Sequence, residues 1–210
     1  TRHAHARSNA DDRISSVPPG EGLSDLGVEE ALALREAIGH EAISLGVATR
    51  LLRTQETLEL ALRGRDVERI VLPALDEIGF GSYEGGALAD YRSWAWSNEP
   101  DALCPGGGES RVDVAARGMP LVAELVADQT EWGVDDPERP VVLVAHGGLI
   151  AALTAALLAL PVDNWPALGG MGNASWVQLS GHSQPDAAPE NIRWRLDVWN
   201  ASAQVANDVL

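Results

Sequence analysis

With 210 residues, 45% of them apolar and 22% charged, the chain has enough apolar material for one globular core and too much of it for a disordered segment. No run approaches the roughly 18 consecutive apolar residues that would cross a bilayer, so no membrane association is expected. A formal net charge of −16 argues against nucleic acid as a partner, whose phosphates are neutralised by clustered Lys and Arg, but leaves room for a small anion held by a local field. All fifteen basic residues are arginine, which GC-rich coding explains as well as a need for bidentate phosphate binding. The single Cys104 excludes an internal disulfide and a cysteine-based zinc cage, and it fits a reducing, cytoplasmic compartment.

The chain starts on "RHAHARSN" (2–9), which gathers Arg2, His3, His5 and Arg7 within six positions. Next, "LSDLGVEEALALREAIG" (23–39) sets Leu26, Ala31, Leu34 and Ile38 on one helical stripe, with Ser24 or Asp25 as N-cap and Gly39 as stop. "ISLGVAT" (43–49) reads as a short buried strand, "LLRTQETLELAL" (51–62) as the helix after it, and "RIVLPAL" (69–75) as another strand. The Gly-rich, aromatic segment 84–110 interrupts the alternation. Long loops in compact domains tend to be lids or binding loops, although a surface excursion pinned by Trp94 and Trp96 fits nearly as well.

"RVDVAARGMPLVAELVAD" (111–128) is helical, with Gly118 and Pro120 expected to bend or split it. "VVLVAHGG" (141–148) is the strongest strand signal, followed by the helix "LIAALTAALLAL" (149–160), which Pro161 stops. "ASWVQLSG" (174–181) and "IRWRLDVWN" (192–200) are late strands suited to an antiparallel edge. The expectation is an α/β fold: a single domain over 1–210, with a mostly parallel twisted sheet of about six strands and helices on both faces.

In such sheets ligands sit outside the carboxyl ends of the strands. His146 stands there, directly after "VVLVA", and Gly147 and Gly148 let backbone N–H groups approach an anion at a helix start. His3 would occupy a comparable place if an apolar strand precedes it, so a lead-in of about five to eight apolar residues is expected upstream of Arg2. Arg53, in the first turn of the helix 51–62, faces the same edge, as do Glu77 and Glu84 beyond the strand 69–75. Such a set suits phosphoryl transfer. Arginines clamp the phosphoryl oxygens, a neutral imidazole attacks phosphorus, and a protonated carboxyl serves the leaving oxygen, with no metal or cofactor required. "HAH" also fits the two-histidine strand of a metal-dependent hydrolase, but His40 and His182 lie in poor contexts for further ligands.

Taken in order, these motifs resemble the signatures of the histidine phosphatase superfamily, the phosphoglycerate-mutase-like enzymes. "RHAHARSN" is similar to its first-histidine motif, "LSDLG" to its helix start, and "ATRLLRTQET" to its arginine segment. "LDEIGFGSYEG", "GGES" and "VVLVAHGG" are similar to the three motifs that follow. The resemblance implies a phosphoglycerate-mutase-like fold and a small phosphorylated substrate. It also implies Arg2 and Arg53 as phosphoryl ligands, His3 as nucleophile, His146 as second pocket histidine, Glu77 as proton donor and Asn9 as a polar contact. Departures from the pattern are Ala4 for the usual glycine, Thr49 for serine and Glu56 for glutamine, while His5 has only a rim or surface place.

The implied reaction is hydrolysis of a phosphate monoester through a phosphohistidine. Phosphoglycerate mutase, or a non-catalytic member that binds a phosphorylated ligand, are the alternatives. Residues 106–210 resemble more closely one branch of the family, the phosphatases of glucosyl-3-phosphoglycerate, whereas the first hundred are similar to a more generic branch. The chain is then either a divergent homologue or a fusion of two related proteins joined near 106–110. Trp165, Pro166, Leu168 and Met171 form an apolar stretch suited to a homodimer interface, or equally to packing inside.

Overall fold

The computed structural model describes residues 1–127, 139–182 and 192–203. In chain order the elements are α1 (Arg7–Ala10), α2 (Asp25–Ala37), β1 (Leu45–Ala48), α3 (Leu52–Ala61), β2 (Glu68–Val71) and α4 (Leu88–Trp96). They continue with α5 (Arg111–Ala127), β3 (Val141–Leu143), α6 (Gly147–Leu157), β4 (Trp176–His182) and β5 (Arg193–Ala201). Asp128, expected in the fifth helix, lies outside the described residues.

Alternate residues of β1 decide how the layers stack. Leu45 and Val47 enter a cluster with Leu149 and Leu153 of α6 and Val114 of α5, while Ala48 packs with Leu58 and Leu62 on the opposite face. A strand covered on both sides reads as a continuous apolar run, which is why 43–49 shows no alternation. β1 lies between β2 and β3, parallel to both, with Val47 beside Ile70 and Leu143. β4 and β5 form a separate antiparallel pair, as expected of the late strands.

Residues 1–3 connect the two sheets. His3 N–H donates to the Ala145 carbonyl, and Arg2 N–H to that of Ser175. Ala174 N–H in turn donates to His3 O. This extended segment runs parallel to Ala145, so His3 emerges at the same edge as His146.

Four local readings shift. The buried face of α2 is Gly27, Ala31 and Leu34, and Leu26 is 45% exposed. The period holds but its phase moves, because a Cβ on Gly27 would lie 2.0 Å from the His5 carbonyl oxygen. α5 runs unbroken through Gly118 and Pro120, and Gly118 lets it approach Leu153 of α6. α6 begins at Gly147, two residues earlier than expected, because extended His146 is already its N-cap. β2 stops at Val71, and Pro73 opens a short 3-10 turn, Pro73–Leu75.

Candidate active site

The edge formed by β1, β3 and residues 1–3 opens into a cleft of about 230 Å³. Arg2, His3, Asn9, Arg53, Glu77 and Gly147 all line it. His146 stands directly behind, fully buried.

His3 Nδ1 is 2.7 Å from the Ala4 carbonyl oxygen, which can only accept, so Nδ1 carries the proton and Nε2 keeps its lone pair. Arg53 Nε–H donates to that lone pair at 3.1 Å. Burial, and then the charges of Arg53 and Arg2, hold this imidazole neutral well below the usual histidine range. Thr57 fixes the loop after it, its hydroxyl accepting from Ala4 N–H at 3.0 Å and donating to the Arg53 carbonyl at 2.6 Å.

His146 Nε2 lies 3.0 Å from the Thr49 hydroxyl, which is 2.9 Å from the Thr54 hydroxyl. Thr54 in turn donates to the Leu51 carbonyl. With that donor spent, the protons of the relay run from His146 outward, and His146 Nδ1 turns its lone pair to the cleft. There Arg53 Nη2 approaches to 3.3 Å and Glu77 Oε2 to 3.7 Å. Burial, then Arg53, depresses the affinity of this ring for a further proton as well.

Arg53 is 4% exposed and spends Nε and Nη2 on the two histidines; its Nη1 is buried without a partner. A buried donor left unpaired costs about 1–3 kcal/mol, so the cleft is arranged to accept an anion. Arg2 is anchored by Nη1 donating to the Met171 carbonyl at 2.6 Å. Five arginines, Arg2, Arg13, Arg53, Arg92 and Arg111, face the cleft against one carboxyl, Glu77. In a chain with 31 acidic and 15 basic residues, that concentration reverses the local field.

Burial raises the Glu77 carboxyl above the ordinary range, against the pull of Arg53. Its Oε1 accepts from Ile78 N–H at 3.0 Å. The backbone carrying it is fastened from two sides. Arg117 Nη2 donates to the carbonyls of Asp76 and Glu77 at 2.9 and 3.1 Å, and Nη1 to that of Ala74. Glu109 receives Arg117 Nε at 2.7 Å and Gly79 N–H at 2.8 Å. Asp76 takes the backbone N–H and the Nε of Arg50 on the other side.

Sequence reasoning noted "GGES" without giving Glu109 a task and passed over Arg117. The available signal is that Arg117 follows Glu109 by about two helical turns. Of the departures, Ala4 adopts no left-handed conformation and fills a buried cluster with Leu23 and Ala31. Thr49 orients His146, and Glu56 accepts from Leu23 N–H at 2.6 Å.

Asn9 Oδ1 accepts from Ala6 N–H at 2.9 Å and closes the first turn. Glu84, expected at the same edge, does not line the cleft; its carboxylate accepts from Ser16 N–H. His5 turns from His3 to meet the Ser24 hydroxyl at 2.8 Å. "HAH" therefore does not converge, and the described residues contain no group of three or more His, Cys, Asp or Glu placed to hold a metal ion. Of the apolar stretch, Trp165 and Met171 are buried and line the cleft, with Trp165 Nε1 donating to the Leu160 carbonyl, while Pro166 and Leu168 are half-buried.

The model of the histidine phosphatase superfamily, branch 1, matches residues 1–200. The chain belongs to this superfamily. Glucosyl-3-phosphoglycerate phosphatase of Mycolicibacterium vanbaalenii is 52% identical over 219 residues, covering 100% of this chain and 96% of that protein. The enzyme of the same name from Mycobacterium tuberculosis is 53% identical over 217 residues, covering 100% and 96%. The solved complex of a mycobacterial glucosyl-3-phosphoglycerate phosphatase with inorganic phosphate superposes with a TM-score of 0.81 at 49% identity, over 96% of this chain and 95% of that one. As a histidine phosphatase, the chain is a phosphoric monoester hydrolase with the α/β fold of the family. Its likeness to the glucosyl-3-phosphoglycerate enzymes spans residues 1–105 as well as 106–210. No helix among the described residues is long and apolar enough to cross a membrane.

Proposed function

We propose that the chain hydrolyses the phosphate ester of glucosyl-3-phosphoglycerate through a phosphohistidine on His3. The observation that carries the chemistry is the buried Arg53 guanidinium, with Nη1 unpartnered and Nε on the lone pair of His3 Nε2. An entering phosphoryl oxygen takes over those donors, which leaves Nε2 free to attack phosphorus in line. The P–N bond forms as the ester P–O bond breaks, and Glu77 delivers its proton to the leaving oxygen. Water then attacks the phosphohistidine, the Glu77 carboxylate accepts its proton, the P–N bond breaks and phosphate leaves. Arg2, Arg53, Asn9 and the Gly147 backbone hold the non-bridging oxygens, and His146 joins them once the phosphoryl charge draws a proton onto its Nδ1.

The substrate is supported by the names of two relatives identical at half their positions over the whole chain. That full-length identity supports one continuous domain of a divergent homologue over a fusion near 106–110. The buried thiol of Cys104 supports a cytoplasmic location.

A phosphate-release panel with glucosyl-3-phosphoglycerate, 3-phosphoglycerate and an aryl phosphate tests the reading, together with detection of phosphohistidine after an alkaline quench, which preserves the P–N bond. The expected result is fastest turnover of the glucosylated ester and a covalent phosphoryl label that His3→Ala lacks. Full turnover by His3→Ala would overturn the mechanism.

A further inference from the structure

Helix α4 turns five residues to the cleft: Leu88, Tyr91, Arg92, Ala95 and Trp96. Their spacing of i, i+3, i+4, i+7 and i+8 is that of one helical face, and such a face is ordinarily apolar throughout. Arg92 breaks it. Its guanidinium makes no hydrogen bond or ion pair with any described residue. The other two arginines at the mouth are committed: Arg13 pairs with Glu21, and Arg111 Nη2 donates to the carbonyls of Ala95 and Asn98. Arg92 is also near enough to Arg2 for the two charges to repel. An uncommitted cation beside another on one wall lacks its counter-charge.

Trp96 is the second anomaly of the same face. Trp94 of this helix rests near the rings of Tyr83 and Tyr91. Trp96, one turn beyond Arg92, is 60% exposed while lining the cleft. A wide apolar face left open beside a free guanidinium matches a ligand that carries both an anionic group and a ring with an apolar side.

We propose that Arg92 and Trp96 form a second subsite outside the phosphoryl pocket, the guanidinium taking the substrate's carboxylate and the indole face its sugar ring. The inference rests on the phosphatase reading and identifies what selects among phosphate esters. The phosphoryl group is common to all of them, so discrimination belongs to contacts with the rest of the molecule.

The experiment compares kcat/KM of the wild type, Arg92→Ala and Trp96→Ala on three esters. These are glucosyl-3-phosphoglycerate, 3-phosphoglycerate, and glycerol 3-phosphate, which replaces the carboxylate by a hydroxymethyl group. Both side chains are solvent-exposed, so folding is not at stake. Arg92→Ala should lose roughly 10- to 100-fold on the two carboxylates, the worth of a charged hydrogen bond, and at least about tenfold less on glycerol 3-phosphate. Trp96→Ala should lose about three- to tenfold on the glucosylated ester, the scale of an aromatic contact, and clearly less on 3-phosphoglycerate. Equal losses across the esters in either variant would overturn the subsite. Failure of the wild type to hydrolyse any of the three would instead overturn the phosphatase reading beneath it.

Discussion

Two imidazoles and a carboxyl around one guanidinium set the pH range in which the cleft can work. His3 attacks only when unprotonated, and its pKa is pushed down by burial and Arg53, so the lone pair survives at pH values where an ordinary histidine is charged. Glu77 donates only when protonated, and burial pushes its pKa up. Activity is therefore lost as pH falls through the lowered His3 pKa and as it rises through the raised Glu77 pKa. The alkaline limb should disappear in Glu77→Gln, with kcat down by ~10²–10⁴ on esters of poor leaving groups. The loss should be smaller in phosphoryl transfer from a good aryl leaving group. An alkaline limb unchanged in Glu77→Gln would assign the proton to another residue. Thr49→Val should act more mildly, because it strands one buried N–H of His146 at about 1–3 kcal/mol. Kinetics with Thr49→Ser restoring the wild-type rate would confirm that the hydroxyl, not the methyl, is needed.

At the scale of elements, the segment 74–79 is a strap tied down by α5. Arg117 holds three of its carbonyls while Glu109 holds Arg117 and the Gly79 N–H. Burial works against the charge of Glu109, but the hydrogen bonds from Arg117 and Gly79 prevail and hold its carboxyl below the usual range. Arg117→Met should lower kcat about 10-fold to 100-fold with little change in KM, since freed carbonyls misplace Glu77 by a fraction of an ångström. In a Glu77→Gln background the same substitution should cost no more than about twofold, because the group it positions is already gone. Additive losses would make Arg117 merely structural.

The clamp also shows where sequence reading stops. The strand 43–49 and the helix after it are legible because burial on both faces writes itself as a local apolar run. The residues of the cleft are legible because few side chains can perform their chemistry. The phase of α2 is not, since it depends on Gly27 meeting the His5 carbonyl, a contact between segments about twenty residues apart. Nor is the continuity of α5: Pro120 argues locally for a break, and packing against α6 overrides it. Arg117 reaches its carbonyls across about forty residues, beyond any periodicity.

Across the whole molecule, the charges are sorted against the average. A chain of net charge −16 aims five arginines into one cleft, two of them, Arg2 and Arg53, deep at its base. Burial lowers the affinity of both guanidiniums for their protons, a sign that the folded state holds them at a cost. An anion that neutralises them binds the folded chain and not the unfolded one, so it must raise the unfolding temperature by mass action. At a hundredfold excess over its Kd, inorganic phosphate should add about 2.7 kcal/mol of stability. For a domain of this size that corresponds to a rise in Tm of about 5–10 °C. Thermal melts with and without phosphate measure it. Arg53→Met should shrink the shift to a small remainder, because the unpaired Nη1 and the contact to His3 go together. The ligand-free melt of that variant should stay level or rise, since a buried, incompletely paired cation is removed. A phosphate shift of wild-type size in Arg53→Met would place the anion elsewhere than beside His3.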